Sequence, residues 1–158
     1  MVKKPLAIMA RSIALVAVVA SLGSPAFAVD TSSGPPVSER LTTARKAIDA
    51  KDWKTAMAEL NKAAREEPRN ADVHNLLGYT YRKRDNPDLP KAFEHYNTAL
   101  KLNPKHKGAH EYIGEAYLVD KKPAEAEKHL AQLEAICGNR TCEEYEDLAK
   151  SIAAYKSR

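Results

Sequence analysis

The residues best equipped for chemistry in this chain are its two cysteines, Cys137 and Cys142, and its five histidines. The cysteines stand in a C-x4-C spacing with Gly-Asn-Arg-Thr between them. A thioredoxin-like redox site or a haem attachment needs C-x-x-C, and a zinc site needs further ligands close by. In a chain bearing an export signal, an even and closely spaced pair reads instead as a disulfide. His106 and His110 lie four positions apart, but His106 falls in a turn and His110 in the helix after it, so no metal site is expected there. His74 and His110 sit at equivalent positions of neighbouring segments, which suggests a packing or surface role common to both. The chain has no Gly-rich phosphate loop, no H-E-x-x-H and no G-x-S-x-G. Its acidic pairs, Glu66-Glu67 and Glu143-Glu144, fall at expected helix ends, where solvation and the helix dipole account for them. No catalytic constellation and no cofactor are expected.

These residues must be positioned by helices. The stretch 71–104, ADVHNLLGYTYRKRDNPDLPKAFEHYNTALKLNP, reads as two amphipathic helices joined by a turn. Val73, Leu76, Leu77 and Tyr81 mark one face of the first helix at helical spacing. Ala92, Phe93, Tyr96, Ala99, Leu100 and Leu102 mark the second, and Pro104 lies just past its end. Gly78 costs helix stability, so a close approach between backbones is the reason expected for it.

The pattern repeats. Gly78, Tyr81, Ala92, Tyr96, Ala99 and Pro104 are echoed by Gly114, Tyr117, Ala126, Leu130, Leu133 and Gly138, and upstream by Ala56, Leu60, Ala63 and Pro68 in the second half. Pro68 and Pro104 are 36 residues apart and Pro104 and Gly138 are 34 apart, so the middle copy carries two extra residues in its turn, RDNPDLP. A 34-residue period with these residues resembles the tetratricopeptide repeat (TPR) family over about 37–138. The first helix of copy one departs from the pattern, with Ala44 and Ala47 at the glycine and tyrosine positions. The resemblance implies an all-α, right-handed superhelical stack of about three helical hairpins, helices A lining a concave surface and helices B the convex side.

Around this core, residues 1–28 read as a secretory signal peptide: Lys3, Lys4 and Arg11, an apolar run over 13–22, and an Ala26-Phe27-Ala28 cleavage site. The run is shorter than the roughly 20 residues a membrane span needs. Cleavage is expected after Ala28, placing a bacterial chain in the periplasm or outside the cell, with no membrane span. The precursor's net charge of +4 and pI near 9.0 then shrink to 22 basic against 21 acidic residues, a net +1. That balance gives no case for nucleic acid or an anionic membrane as partner. Residues 29–37, VDTSSGPPV, read as a disordered linker. The repeat domain is expected over 38–158, with Ser38 capping a helix to about residue 50 and a second running 53–67. Trp53 is expected to pack in the core at the first hairpin turn. The third copy is expected at 107–119 and 123–136. A last helix over 142–155, opened by a Thr141/Glu144 capping box, would present Tyr145, Leu148, Ile152 and Tyr155 as the cap of the stack.

By the same resemblance, the groove would be lined by Arg45 from the first copy, Asn75, Tyr79 and Arg82 from the second, and Glu111, Tyr112 and Glu115 from the third. Some members of the family clamp a partner's C-terminal carboxylate with Lys and Asn. The corresponding positions here hold Leu41, Arg45, Leu76, Gly108 and Tyr112, so that clamp is not reproduced. The leading expectation is a non-catalytic periplasmic adaptor that binds a protein or peptide segment in its groove. The alternative is an accessory subunit or binding protein for a small molecule or metal in an envelope complex.

Overall fold

Seven helices succeed one another among the described residues, and the turns between them follow from short polar or proline-bearing segments. The computed structural model describes residues 34–158. The expected signal peptide and most of the expected linker lie outside them. The helices are α1 (Val37–Asp49), α2 (Trp53–Glu66), α3 (Ala71–Lys83), α4 (Leu89–Leu102), α5 (Lys107–Val119), α6 (Pro123–Cys137) and α7 (Glu143–Lys156). The starts of α2 to α5 each have a side-chain acceptor for their free amides. Asp52 accepts from the Thr55 amide, Asn70 from Asp72 and Val73, Asp88 from Lys91, and the His106 Nδ1 from Ala109. At the end of α6, Gly138 turns left-handed with φ 72°, a conformation that glycine adopts without a Cβ penalty.

Consecutive helices pair into hairpins, α1 with α2, α3 with α4 and α5 with α6. Helices α1, α3, α5 and α7 also touch in sequence, whereas α2, α4 and α6 make no such row. The first of each pair therefore forms one continuous inner row, with α7 at its end in the place of a further helix A. The turns of the first and third hairpins are closed alike. Lys51 and Lys121 adopt left-handed φ of 57° and 59°, and the amides of Asp52 and Lys122 donate to the carbonyls of Ala47 and Tyr117. In the middle hairpin the equivalent bond runs from the Asp88 amide to the Tyr81 carbonyl, seven positions back instead of five. The two extra residues are absorbed there without disturbing either helix.

The core runs along the stack as three clusters. Leu60, Val73 and Leu77 anchor the first, Tyr96 and Ile113 the second, and Leu133, Leu148 and Ile152 the third. Gly78 and Gly114 answer the close approaches expected of small residues. A Cβ on Gly78 would come within 2.6 Å of the Tyr96 ring, and one on Gly114 within 2.6 Å of a Leu148 methyl.

Four local expectations are corrected. Val37, assigned to the linker, is buried and opens α1. Ser38 does not cap that helix, because the Pro36 carbonyl already receives the amides of Glu39 and Arg40 one turn earlier. The capping box fails as well: Thr141 donates its amide and hydroxyl to the Asn139 side chain, and α7 starts after Cys142 with no side-chain cap. Trp53 is half-buried and stands outside the core clusters, between surface hollows shared with Met57 and Arg84 on one side and Ile48 and Tyr79 on the other. Cys137 and Cys142 are bonded to each other, tying α6 to α7.

Candidate binding groove

The inner row brings together three of the seven expected groove residues around one hollow. Arg45 from α1, Tyr79 from α3 and Tyr112 from α5 line a depression of about 200 Å³, floored by Ile48 and Leu76. Their convergence follows from the register: each lies on the face of its helix opposite the side that buries the hairpin contact. The two tyrosine rings meet at 4.8 Å between centroids and 52°, a tilted arrangement that aromatic pairs favour. Burial raises the Tyr112 hydroxyl to about 12, so both phenols are neutral hydrogen-bonding groups at ordinary pH.

Two expected groove residues prove to be internal. Arg82 is only 9% exposed. Its Nη2 donates to Glu115 Oε2 at 2.6 Å and its Nε to the Tyr96 hydroxyl at 3.3 Å. The guanidinium also lies 5.4 and 6.0 Å from the Tyr79 and Tyr112 ring centres, so it supports those rings from beneath. Ser151 donates to the other Glu115 oxygen at 3.1 Å, which extends the network to α7. Tyr96, Arg82, Glu115 and Ser151 thus link four helices. A buried guanidinium requires this pairing, and Ser151 is the member that no periodicity pointed to. Asn75 is also buried, 5% exposed, and its side-chain oxygen has no hydrogen-bond partner.

Glu111 sets the electrostatics at the α7 end of the groove. Burial, then the neighbouring carboxylates of Glu115, Asp147 and Glu144, push its carboxyl up to about 8. Near neutral pH it is mostly protonated and can donate as well as accept a hydrogen bond. Glu144 also lies beside Cys137 and Cys142, but sulfurs bonded to each other offer no thiolate to a metal. The groove therefore presents aromatic faces, phenol hydroxyls, the exposed side chains of Arg45 and Asp49, and a neutral carboxyl. That set can hydrogen-bond and cover an extended segment.

Residues 83–140 match the model of the tetratricopeptide repeat family. Over those residues the chain carries the tetratricopeptide repeat pattern. Its fold is similar to that of the first TPR of Spaghetti (RPAP3), solved bound to the HSP90 peptide SRMEEVD, with a TM-score of 0.64 and 16% sequence identity. The likeness covers 77% of this chain and 94% of that one. No curated protein matches the sequence. Within the TPR frame, α1, α3 and α5 are helices A and α2, α4 and α6 helices B, with α7 closing the third repeat. No helix among the described residues is long and apolar enough to cross a membrane.

Proposed function

We propose that this chain is a non-catalytic protein-interaction module of the bacterial periplasm that holds an extended partner segment in the groove of helices A. The observation that carries the reading is the meeting of Arg45, Tyr79 and Tyr112, from three different repeats, around one hollow. Aromatic and arginine side chains are the types whose truncation most often costs about 2 kcal/mol or more at an interface. The peptide seated on the similar TPR of RPAP3 supports the class of partner. Because the carboxylate-clamp positions hold Leu41, Arg45, Leu76, Gly108 and Tyr112, recognition here would rest on side-chain stacking and hydrogen bonding rather than on a free C-terminus.

Export rests on the basic start, apolar run and Ala26-Phe27-Ala28 site of the sequence. Intact mass of the protein recovered from the envelope fraction tests it, with a chain that begins at Val29 as the expected result. For the groove, the test is affinity capture from envelope extract with Tyr79→Ala combined with Tyr112→Ala. Capture should fall at least tenfold while helicity holds, and the exposed control Lys101→Ala should capture normally. Full capture by a folded double variant would overturn the groove assignment.

A further inference from the structure

Trp53, Leu89 and Pro123 open the second helices of the three hairpins, 36 and 34 residues apart, in the register of the repeat. Leu89 packs against the second core cluster. Trp53 joins no cluster, and its half-buried ring stands between two hollows. One, of about 650 Å³, lies between Trp53 and Met57 of α2 and the residues Arg84, Asp85 and Asn86 of the middle turn. The other, of about 540 Å³, is bounded by Trp53 and Asp85 and shares Ile48, Asp49 and Tyr79 with the depression around Arg45. The three recesses therefore form one track, which leads from the groove of the inner row over the indole and onto α2.

The wall facing Trp53 comes from the longer middle turn, and that turn is braced from within. Arg84 Nε donates to the Asn86 carbonyl at 2.8 Å, and its guanidinium lies 4.8 Å from the centre of the Tyr81 ring. A fixed wall opposite an indole makes a slot for an apolar side chain, because covering a half-wet aromatic face is favourable. Met57 adds an adaptable thioether to the same slot. Charge along the track is uneven. Lys51 and Lys83 border the inner hollow and Lys54 and Arg84 the outer one, against two acids, Asp49 and Asp85. The three lysines are exposed. Because the chain beyond residue 28 is nearly balanced in charge, this excess is local.

We propose that this track docks an acidic peptide segment bearing one aromatic or large aliphatic side chain, which covers Trp53 while flanking Asp and Glu residues pair with Lys51, Lys54, Lys83 and Arg84. The site rests on the groove assignment made above and extends it, naming the chemistry of the partner segment and the edge over which it leaves the groove. The apolar anchor supplies most of the affinity, and the rim cations select the partner and speed its approach. A peptide fits better than a nucleic acid. Asp49 and Asp85 line the same track, where they repel an unbroken row of phosphates, whereas a peptide can space its acids to avoid them.

Trp53 is the only tryptophan of the chain, so its fluorescence reads the site directly. A library of short random peptides, selected on the full chain, supplies the probe. Selected peptides that shift the Trp53 emission should carry one aromatic or large aliphatic residue flanked by acidic ones. Lys51→Glu with Lys83→Glu, both exposed positions, should weaken them by about tenfold or more. Trp53→Ala should weaken them as much, measured by calorimetry. Binders that are basic or uncharged, binders indifferent to the charge reversal, or a selection in which no peptide moves the emission, would overturn the site. An emission shift produced instead by a short single-stranded oligonucleotide would assign the track to nucleic acid and sink the peptide proposal. Tyr79→Ala with Tyr112→Ala separates this site from the groove. Peptides weakened by that variant but not by the changes at Trp53 and the lysines leave the groove standing and remove its extension, and peptides weakened by neither remove both.

Discussion

The ring of Tyr96 lies directly over the backbone of Gly78, so that a methyl group there would sit 2.6 Å from two ring carbons. Tyr96 is fully buried and holds the Arg82 guanidinium by its hydroxyl, so the ring has little room to retreat. Gly78→Ala should therefore destabilise the protein by about 1–3 kcal/mol, against the roughly 1 kcal/mol that helix propensity alone would gain. Gly114→Ala meets the methyls and Cγ of Leu148, an aliphatic chain with no hydrogen bond to hold it in place, and should cost less. Urea denaturation of the two variants checks the order.

Arg82 joins α3 to α4 and α5, and its removal strands Glu115 beside the buried Tyr96 hydroxyl. Arg82→Ala should cost about 2–4 kcal/mol, whereas Ser151→Ala, which touches only the more exposed end of the network, should cost about 1. Thermal melts read both. Loss of partner capture by an Arg82 variant would thus report damage to the groove's support rather than a lost contact.

Glu111 makes the stability of the protein depend on pH. Its carboxyl is raised from an ordinary 4.5 to about 8, so the folded chain binds a proton that the unfolded chain releases. The stability this contributes is present below about pH 4.5 and is lost as pH rises to about 8. Glu111→Gln should leave stability near pH 5 little changed and raise it above pH 8. Denaturation midpoints across that range measure the effect.

The Cys137–Cys142 bond closes a short loop, which in the chain-entropy model stabilises by about 2 kcal/mol. Thiol titration of the unfolded, unreduced protein should find no free thiol. Replacing both cysteines by serine should lower protection chiefly in α7, because the junction of α6 and α7 is the one the bond ties. Exchange lost evenly across all seven helices would contradict this.

The helices of the second and third repeats were legible in the sequence because each position is stated twice, once per copy, and the two readings constrain each other. Lys107–Val119 agrees at both ends with the pattern, and Pro123–Cys137 to within one residue. Caps were harder, since a cap is decided by one residue of register. At Ser38 a proline carbonyl arrived first, and at Thr141 a neighbouring asparagine took both donors. The groove showed the same division. Periodicity gives the face on which Arg82 and Asn75 lie but not the depth to which a long side chain folds back. Arg82 is drawn inward by Glu115, 33 positions away, and Glu115 is held by Ser151, 36 positions further on. The histidines were half visible: the recurrence of His74 and His110 is plain, but their partners, His95 and His129, lie on the opposite helix at separations of 21 and 19.

Helix α7 occupies the place of a fourth helix A, packed on α5 and α6 and tied to α6 by a short loop and one sulfur–sulfur bond. Among the described residues, the last element of the array is half a unit. A complete hairpin spliced in ahead of residue 143, with cysteine placed again at the end of its second helix, would meet α5 and α6 through the same surfaces that α7 now uses and hand α7 an equivalent seat one step along. The number of hairpins ahead of α7 is in this sense a setting of that junction rather than a property of the interior.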